Sequence, residues 1–213
     1  MPRRSYDQYC AAARALDAVG DRWTLLIVRE LLGGPRRYTD LHADLPGVST
    51  DMLATRLKDM ERDGLVARRR LAAPASVSVY ELTPRGRELL PVLQALGEWG
   101  APALGERRPT DAVRAHWLAL PVLRELAELG EAGVLEVRLD EGEFYVLVGE
   151  EAPRYGDGRY EGEPDARVTL DAEVGGAVAR GELGFVAAVR AGHAQLTGTG
   201  SLANALTSSP LGD

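Results

Sequence analysis

The sequence of 213 residues has few cysteines, histidines, lysines and aromatic side chains. Its single cysteine, Cys10, excludes an internal disulfide bond. Lys58 is the only lysine, so arginine supplies almost all of the positive charge. The chain also lacks a charged start followed by an apolar run, and it has no apolar stretch long enough to cross a bilayer. We therefore expect a cytoplasmic protein that has no membrane partner.

The motifs of common enzymes and metal sites are missing as well. The three histidines, His42, His116 and His193, lie far apart in the sequence. There is no His-Glu-x-x-His, Cys-x-x-Cys or Gly-x-Ser-x-Gly motif. Gly198-Thr199-Gly200 lacks the longer glycine pattern of a dinucleotide-binding loop, so we interpret it as a turn. We expect no enzymatic activity, no metal site and no cofactor.

Charge is distributed unevenly along the chain. Residues 1–108 contain 17 basic and 14 acidic residues, a net charge of +3, whereas residues 109–213 contain 8 basic and 18 acidic residues, a net charge of −10. This contrast is typical of a chain in which only the first half meets nucleic-acid phosphates. Because 45% of the residues are hydrophobic, two packed cores are feasible, and we expect two domains, 1–108 and 109–213.

Residues 45–66 are the most informative stretch. Pro46-Gly47 predicts a turn, Ser49 is suited to cap the first amides of a helix, and Gly64 marks the end of that helix. At about 100° per residue, an apolar and a polar side separate. The apolar side comprises Leu53, Leu57 and Met60, and the polar side comprises Asp51, Thr55, Lys58 and Arg62. Such a helix is either an ordinary surface helix or one that enters a DNA groove.

The segments around this stretch favour the DNA-binding alternative. Helices are predicted at 9–19, at 22–32 and from Tyr38 to the turn. Residues 65–71 and 77–82 predict two strands of a hairpin whose tip contains Pro74. Helix, turn, helix and hairpin in this order describe a winged helix-turn-helix domain.

A further helix is predicted after the hairpin. Thr83 can cap it, Pro84 suits its first position, and Pro91 should kink it. The helix has an apolar side that a small winged domain leaves uncovered. A second copy of the chain is the simplest cover, so we expect a homodimer and, from its twofold symmetry, a palindromic operator.

An ordered series of short motifs occupies residues 9–104. The series is Cys10, Leu16, Asp21-Arg22-Trp23-Thr24-Leu25-Leu26-Ile27, Tyr38-Thr39-Asp40-Leu41, Pro46-Gly47-Val48-Ser49, Met52-Leu53, Arg56-Leu57, Asp63-Gly64-Leu65-Val66, Tyr80-Glu81-Leu82-Thr83 and Trp99. It resembles the HxlR-type winged helix-turn-helix regulators, relatives of the MarR group. The chain departs from that pattern at Asp21-Arg22, where Gly-Lys is usual, at Tyr38, where Phe is usual, and at the hairpin tip, which lacks the usual arginine. The resemblance implies a transcriptional regulator whose partner is double-stranded DNA.

In such a protein, the outward side of the helix after Ser49 would meet base edges, and nearby basic residues would meet backbone phosphates. The expected DNA-binding residues are Arg36, Arg37, Tyr38, Ser49, Thr50, Asp51, Ala54, Thr55, Arg56, Lys58, Arg68 and Arg70, with Arg69 as a further phosphate candidate. Alternate strand arginines must point to opposite faces. Each arginine has an alternative role as a solvated charge or as the partner of Asp40, Asp59 or Asp63.

Cys10 matches the position at which some members of the family sense oxidants through a thiol. The resemblance therefore implies a redox switch as one alternative, with Arg14 one turn further on. A small buried core residue is the other alternative, because a sensor thiol needs a lowered pKa and exposure.

The second half predicts a mixed fold. After a linker at 105–111, the pattern predicts a helix at 112–129 that Pro121 bends or divides, a hairpin of 134–140 and 143–148 around Glu141-Gly142, a weak strand within 153–164, a strand at 166–170, helices from 172 and 184, a strand at 193–197 and a closing helix after Ser201. The fold class is α+β: a winged helix-turn-helix domain followed by a small antiparallel sheet with helices on one side.

The strand-to-helix order after Asp165 resembles the closing half of sterol-carrier-protein-type lipid-binding domains. In those domains an apolar tunnel between sheet and helices holds a hydrophobic molecule. The resemblance implies a hydrophobic small molecule or lipid as effector. Carried over to this chain, the expected ligand-binding residues are Trp117, Leu118, Leu123, Phe144, Val146, Val178 and Phe185, each of which has an ordinary core role as its alternative.

The sequence thus predicts a dimeric, DNA-binding, ligand-responsive regulator. Two alternatives remain open from the sequence. One is a redox regulator that acts through Cys10, and the other is a lipid-binding module whose winged helix contacts a protein.

Overall fold

A computed structural model of the protein describes residues 5–72, 77–149 and 153–208. Contacts divide the chain into two compact units, one ending at Leu90 and the other beginning at Pro91. This division comes before residue 108, where the sequence placed the boundary. Residues after Pro91 belong to the second unit because their side chains bond to a later helical segment of that unit. The side-chain amide of Gln94 donates to the carbonyl of Leu120 (3.5 Å), and Glu98 pairs with Arg124.

The first unit is built from helices followed by a hairpin. Its elements are α1 (Ala11–Val19), α2 (Thr24–Leu32), α3 (Tyr38–Asp44), α4 (Thr50–Arg62), β1 (Val66–Arg70), β2 (Ser78–Leu82) and α5 (Pro84–Arg87). The order agrees with the sequence prediction of a winged helix-turn-helix arrangement. The first helix begins two residues later than predicted because Cys10 is extended (φ −142°, ψ 129°).

Local capping chemistry places these elements as the sequence predicted. The Ser49 hydroxyl accepts a hydrogen bond from the amide of Met52 (3.2 Å) at the start of α4. The Thr83 hydroxyl accepts one from the amide of Gly86 (3.1 Å) at the start of α5. Gly64, just after α4, has a φ of 69°, a conformation that a side chain would strain. Each cap satisfies an amide that the helix itself leaves without a partner.

The wing is an antiparallel pair with a third, single-residue contact. β1 and β2 pair from Val66–Leu82 to Arg70–Ser78. Arg36 exchanges backbone hydrogen bonds with Tyr80 (3.0 and 2.8 Å), so the chain before α3 joins the edge of β2. The predicted tip around Pro74 lies outside the described residues.

Pro91 has a stronger effect than the predicted kink. α5 ends at Arg87, and a separate helix, α6 (Leu90–Gly100), begins with Pro91 as its second residue. A proline is tolerated in the first turn because the amides there have no helical acceptor. The structure therefore has two helices where one bent helix was predicted.

The second unit is α+β. After α6 its elements are α7 (Ala119–Glu128), β3 (Gly133–Leu139), β4 (Gly142–Val148), β5 (Arg154–Asp157), β6 (Ala166–Thr169), α8 (Ala172–Ala179), α9 (Phe185–Arg190), β7 (Gln195–Thr197) and α10 (Ser201–Thr207), with short 3₁₀ helices at Ala101–Ala103 and Ala115–Leu118. The described strands form one sheet in the order β5-β4-β3-β6-β7. α7 lies against β4, and α10 lies against β3.

Three sequence predictions for this unit are corrected. Residues 112–114 are not helical, and Pro121 lies in the first turn of α7 rather than within a long helix. The β3–β4 hairpin turns at Asp140-Glu141, because Leu139 pairs with Gly142. The sheet is not purely antiparallel, because β3 and β6 run parallel.

The parallel pair has a physical cause. A chain that pairs β3, β4 and β5 in sequence must cross the sheet before it can add β6 on the free side of β3. Residues 158–165 make this crossing, and the backbone amide of Tyr160 donates to the carboxylate of Glu136 (3.3 Å) on β3. Glu136 is fully buried, and its carboxylate also contacts Arg167 (3.4 Å) and Arg138 (3.5 Å). A buried charge needs such partners to offset its lost hydration.

A second carboxylate joins the helices of this unit. Glu125 on α7 accepts hydrogen bonds from the amides of Phe185 and Val186 (both 2.9 Å), the first two residues of α9. It thereby caps α9 from a distant part of the chain. A hydrogen bond to a charged acceptor contributes about 1.5–3 kcal/mol, so the two bonds of Glu125 stabilise the packing of α9 against α7.

Candidate nucleic-acid interface

The helix-turn-helix geometry is set by a buried turn. Between α3 and α4 the chain reverses at Pro46-Gly47, where Gly47 has a φ of 89° and the amide of Val48 donates to the carbonyl of Leu45 (3.2 Å). Leu45 and Val48 are both buried. Burial of one residue on each side of the turn fixes the angle between α3 and α4.

α4 presents its polar side to solvent. Leu53 is 0% exposed, and Leu57 and Met60 are each 1% exposed, so the apolar side is sealed. The predicted base-facing residues are all exposed on the remaining surface: Thr50, Asp51, Ala54, Thr55 and Lys58. The sequence missed Met52, whose side chain is 43% exposed beside them. The hydroxyl, methyl and ammonium groups of this surface suit a major groove.

Two arginines predicted to contact phosphates are engaged by aspartates. Arg56 on α4 pairs with Asp21 and lies 3.4 Å from Asp59. Arg36 lies 3.7 Å from Asp44 on α3. Both guanidinium side chains are largely buried, at 14% and 15% exposure. The ion pairs connect α4 to the turn before α2 and the chain before α3 to the end of α3. Arg56 and Arg36 are therefore weaker candidates for phosphate contacts than fully exposed cations.

The wing arginines divide by strand face. Arg68 and Arg70 pair across the hairpin with Tyr80 and Ser78, and the Arg68 guanidinium lies 6.0 Å from the ring centroid of Tyr80. Arg69 points to the opposite face and forms a bidentate ion pair with Glu81, in which Nε donates to Oε1 (3.0 Å) and Nη2 donates to Oε2 (3.0 Å). This pair lowers the pKa of Glu81 below its usual value. Arg68 and Arg70 therefore share a face, while Arg69 is occupied.

The free positive charge on α4 is concentrated in one residue. Lys58 is exposed and makes no ion pair with any other residue that the structure describes. Arg62 lies one turn further on but is bound to Asp59 (2.8 Å) and Asp63 (3.3 Å). The hydrogen bond that Arg62 donates to Asp63 is the main reason why the pKa of Arg62 is raised. Lys58 is therefore the strongest phosphate candidate of α4.

Two of the predicted DNA-binding residues serve local structure. Ser49 caps α4, as described above. The Tyr38 hydroxyl donates to the carbonyl of Thr50 (2.7 Å). Arg37, between the wing contact of Arg36 and the first turn of α3, is exposed and is available for a phosphate.

Sequence reasoning named Asp59 and Asp63 as possible arginine partners, and both pair with arginines, but it missed Asp21 and Asp44. Asp21 is 35 residues from its partner Arg56 in the sequence, so no short-range pattern connects the two. Asp44 is on α3, which follows its partner Arg36. The bridge between Arg36 and Tyr80 gave no signal in the side-chain pattern, because it is made by backbone groups.

The predicted ligand-binding residues come together in the second unit as core. Phe144 and Val146 of β4 and Phe185 of α9 are fully buried. Leu118, Leu123 and Val178 are also buried, and Trp117 is half-buried. They line the layer between the sheet and its helices, where a tunnel would have to open.

Cys10 is exposed at the start of α1, which contradicts its alternative role as a buried core residue. Arg14, one turn further on, contacts Ser5 (3.3 Å) and Asp17 (3.5 Å). The exposed thiol therefore meets one of the two requirements of a sensor.

Other classes of site find no support within the described residues. No group of three histidine, cysteine or acidic side chains there is arranged to hold a metal ion. Nor is any described helix both long and apolar enough to cross a membrane.

Residues 18–108 match the HxlR-like helix-turn-helix family. The chain is 36% identical over 86 residues to YvaP, an uncharacterised HTH-type transcriptional regulator of Bacillus subtilis, a match that covers 40% of this chain and 80% of YvaP. It is 35% identical over 85 residues to the HTH-type transcriptional regulator YodB of the same organism, covering 40% of this chain and 76% of YodB. The chain belongs to the HxlR-like helix-turn-helix family. It is a DNA-binding transcriptional regulator.

Replacing Lys58 with alanine should weaken DNA binding about three- to tenfold and reduce the slope of log affinity against log salt by about one, because one released counterion is lost. Fluorescence anisotropy with the DNA upstream of the protein's own gene, at several salt concentrations, measures both. Arg62→Ala is the matched control on the same helix, since Asp59 and Asp63 already neutralise that charge. Equal losses in the two variants would contradict the special role of Lys58.

Proposed function

We propose that the protein is a homodimer that inserts α4 of each subunit into successive major grooves of a palindromic operator, and that a hydrophobic molecule bound by the second unit changes operator affinity. The observation that carries the DNA-binding part is the sealed apolar side of α4 opposite an exposed polar side. Half-sites one helical turn apart, about 34 Å, follow from twofold symmetry. Phosphates would be met by Arg37, Lys58, Arg68 and Arg70.

An uncovered apolar stripe on α6 supports the dimer. Val92, Leu96 and Trp99 follow the i, i+4, i+7 spacing of one helix face and are 47%, 46% and 83% exposed. Contiguous apolar surface of this kind marks an association site in a soluble protein. A second copy of the same stripe is an apolar partner that a homodimer supplies.

The effector part rests on the arrangement of the second unit. Its strand-to-helix order after Asp165 is similar to that of sterol-carrier-protein-type domains, and its apolar layer lies between a sheet and helices. A ligand that enters this layer shifts regulation only if it binds the two forms of the dimer with different affinity. The net charge of −10 on residues 109–213 disfavours contact with DNA phosphates, which supports a role other than DNA binding for this unit.

Replacing Trp99 with serine should convert the dimer to a monomer at micromolar concentration, because the largest and most exposed side chain of the apolar stripe is lost. Operator affinity should fall about 100-fold or more, since two linked half-sites bind far more tightly than one. Analytical ultracentrifugation measures the mass of the assembly, and fluorescence anisotropy measures its affinity for the operator. Gly97→Ala lies on the other side of α6, where a methyl group meets no atom within 4 Å, and it should leave the dimer intact. A dimeric Trp99→Ser variant would exclude this stripe as the interface.

A fluorescent long-chain fatty acid tests the effector part. Saturating the protein with this probe should change the operator dissociation constant by at least about fivefold, the lower end of typical allosteric coupling. The measurement is an operator titration with and without probe, and probe occupancy is followed by its own fluorescence. Full occupancy with unchanged operator affinity would overturn the proposed regulation while leaving the DNA-binding function standing.

A redox regulator is the second candidate, and the exposure of Cys10 favours it. Peroxide would oxidise the thiol to a sulfenic acid, which can go on to form a disulfide with another thiol. Treatment with peroxide should then alter operator affinity in the wild-type protein and leave Cys10→Ser unaffected. An equal response in both proteins would remove Cys10 from the mechanism, because the chain has no other cysteine.

A further inference from the structure

Tyr38 occupies a defined position at the junction of α3 and α4. It is the first residue of α3, and the amide of Arg37 before it donates to the carboxylate of Asp40 (3.3 Å), which fixes the start of the helix. The ring of His42, one turn further on, stacks on the Tyr38 ring with a centroid distance of 6.4 Å and an interplanar angle of 17°. The capped start of α3 and the ring of His42 together fix the orientation of the Tyr38 ring.

The hydroxyl at the end of this ring bonds to α4. It donates to the carbonyl of Thr50, the first residue of α4, over 2.7 Å. A carbonyl has two lone pairs, so this bond is compatible with the helical bond of the same group. The first turn of α3 is thus tied to the first turn of α4, next to the exposed Asp51, Ala54 and Thr55.

A second tie lies further along α4. Asp21, in the turn before α2, pairs with Arg56, which is six residues after Thr50 and about 9 Å along the helix axis. The two polar ties, one from α3 and one from the turn before α2, hold α4 at two points along its axis, in addition to its buried apolar contacts.

We propose that the Tyr38 hydroxyl is a positioning group of operator recognition: it holds the first turn of α4 at the angle at which its side chains meet base edges. The inference rests on the proposed function, in which α4 reads the operator. The group does not donate to a phosphate in this arrangement, because a tyrosine hydroxyl has one proton and that proton is used at Thr50.

The distinction has a measurable consequence. Base contacts depend on the placement of side chains to within a fraction of an ångström and carry sequence discrimination. Phosphate contacts carry affinity without sequence information. Loss of a positioning group therefore lowers affinity for the operator but not for unrelated DNA, whereas loss of a phosphate contact lowers both.

The test is the full-length Tyr38→Phe variant, which removes one oxygen atom and keeps the ring. Dissociation constants are measured for the operator duplex that the wild-type protein selects from a random library and for a scrambled duplex of the same length. We expect operator affinity to fall about three- to tenfold, with scrambled-DNA affinity unchanged within about twofold. Equal losses on both duplexes, or no loss on either, would overturn the proposal.

Arg37→Gln is the matched control at the neighbouring residue. Its exposed guanidinium is a phosphate candidate, so this variant should weaken both duplexes equally and lower the salt dependence. If the wild-type protein itself does not discriminate between the duplexes, the proposed function fails, and this result is distinct from a failure of the role of Tyr38.

A second variant and a second measurement guard against an indirect effect on folding. Asp21 is 64% exposed, so Asp21→Asn should leave the thermal midpoint nearly unchanged and still reduce operator discrimination. Hydrogen exchange of peptides that cover 49–55 should be faster in DNA-free Tyr38→Phe than in the wild-type protein. Unchanged exchange there, together with retained discrimination in Asp21→Asn, would contradict the two-tie arrangement.

Discussion

Burial of the apolar side of α4 is the constraint on which the first unit depends. Leu53, Leu57 and Met60 are almost completely removed from water, and each such burial contributes about 1.5–3 kcal/mol. Rotation of α4 about its axis would expose these groups and bury Asp51 or Lys58 instead. The same packing that stabilises the domain therefore forces the polar side outward, so stability and the proposed DNA recognition depend on one arrangement.

Charge on this surface is defined by its local partners rather than by the number of basic residues. Arg56 and Lys58 lie two residues apart on α4, yet Asp21 engages the first and no described residue pairs with the second. The exposed polar side of α4 consequently has few cations that are not paired with a carboxylate. A protein with such a surface relies on placement of its side chains more than on bulk electrostatic attraction, which is consistent with polar ties that fix α4.

The second unit depends on a different constraint, the route of the chain. β6 pairs in parallel with β3, so residues 158–165 must cross the sheet. The crossing covers Glu136 on the side of β3 that faces away from the helices, and surrounding arginines and the amide of Tyr160 offset its charge. The apolar side of the same sheet remains available for the helical layer, where a hydrophobic ligand is proposed to enter.

Periodicity and end signals in the sequence were sufficient for the helix-turn-helix order, for the cap at Ser49 and for the exposed side of α4, because these features depend on residues close together in the chain. Tertiary structure alone decided the pairing of Arg56 with Asp21, the bond from Tyr38 to Thr50 and the parallel strand pair. These features depend on groups distant in sequence, which are brought together by packing and by the route of the chain. A pattern within a short window contains no information about such meetings.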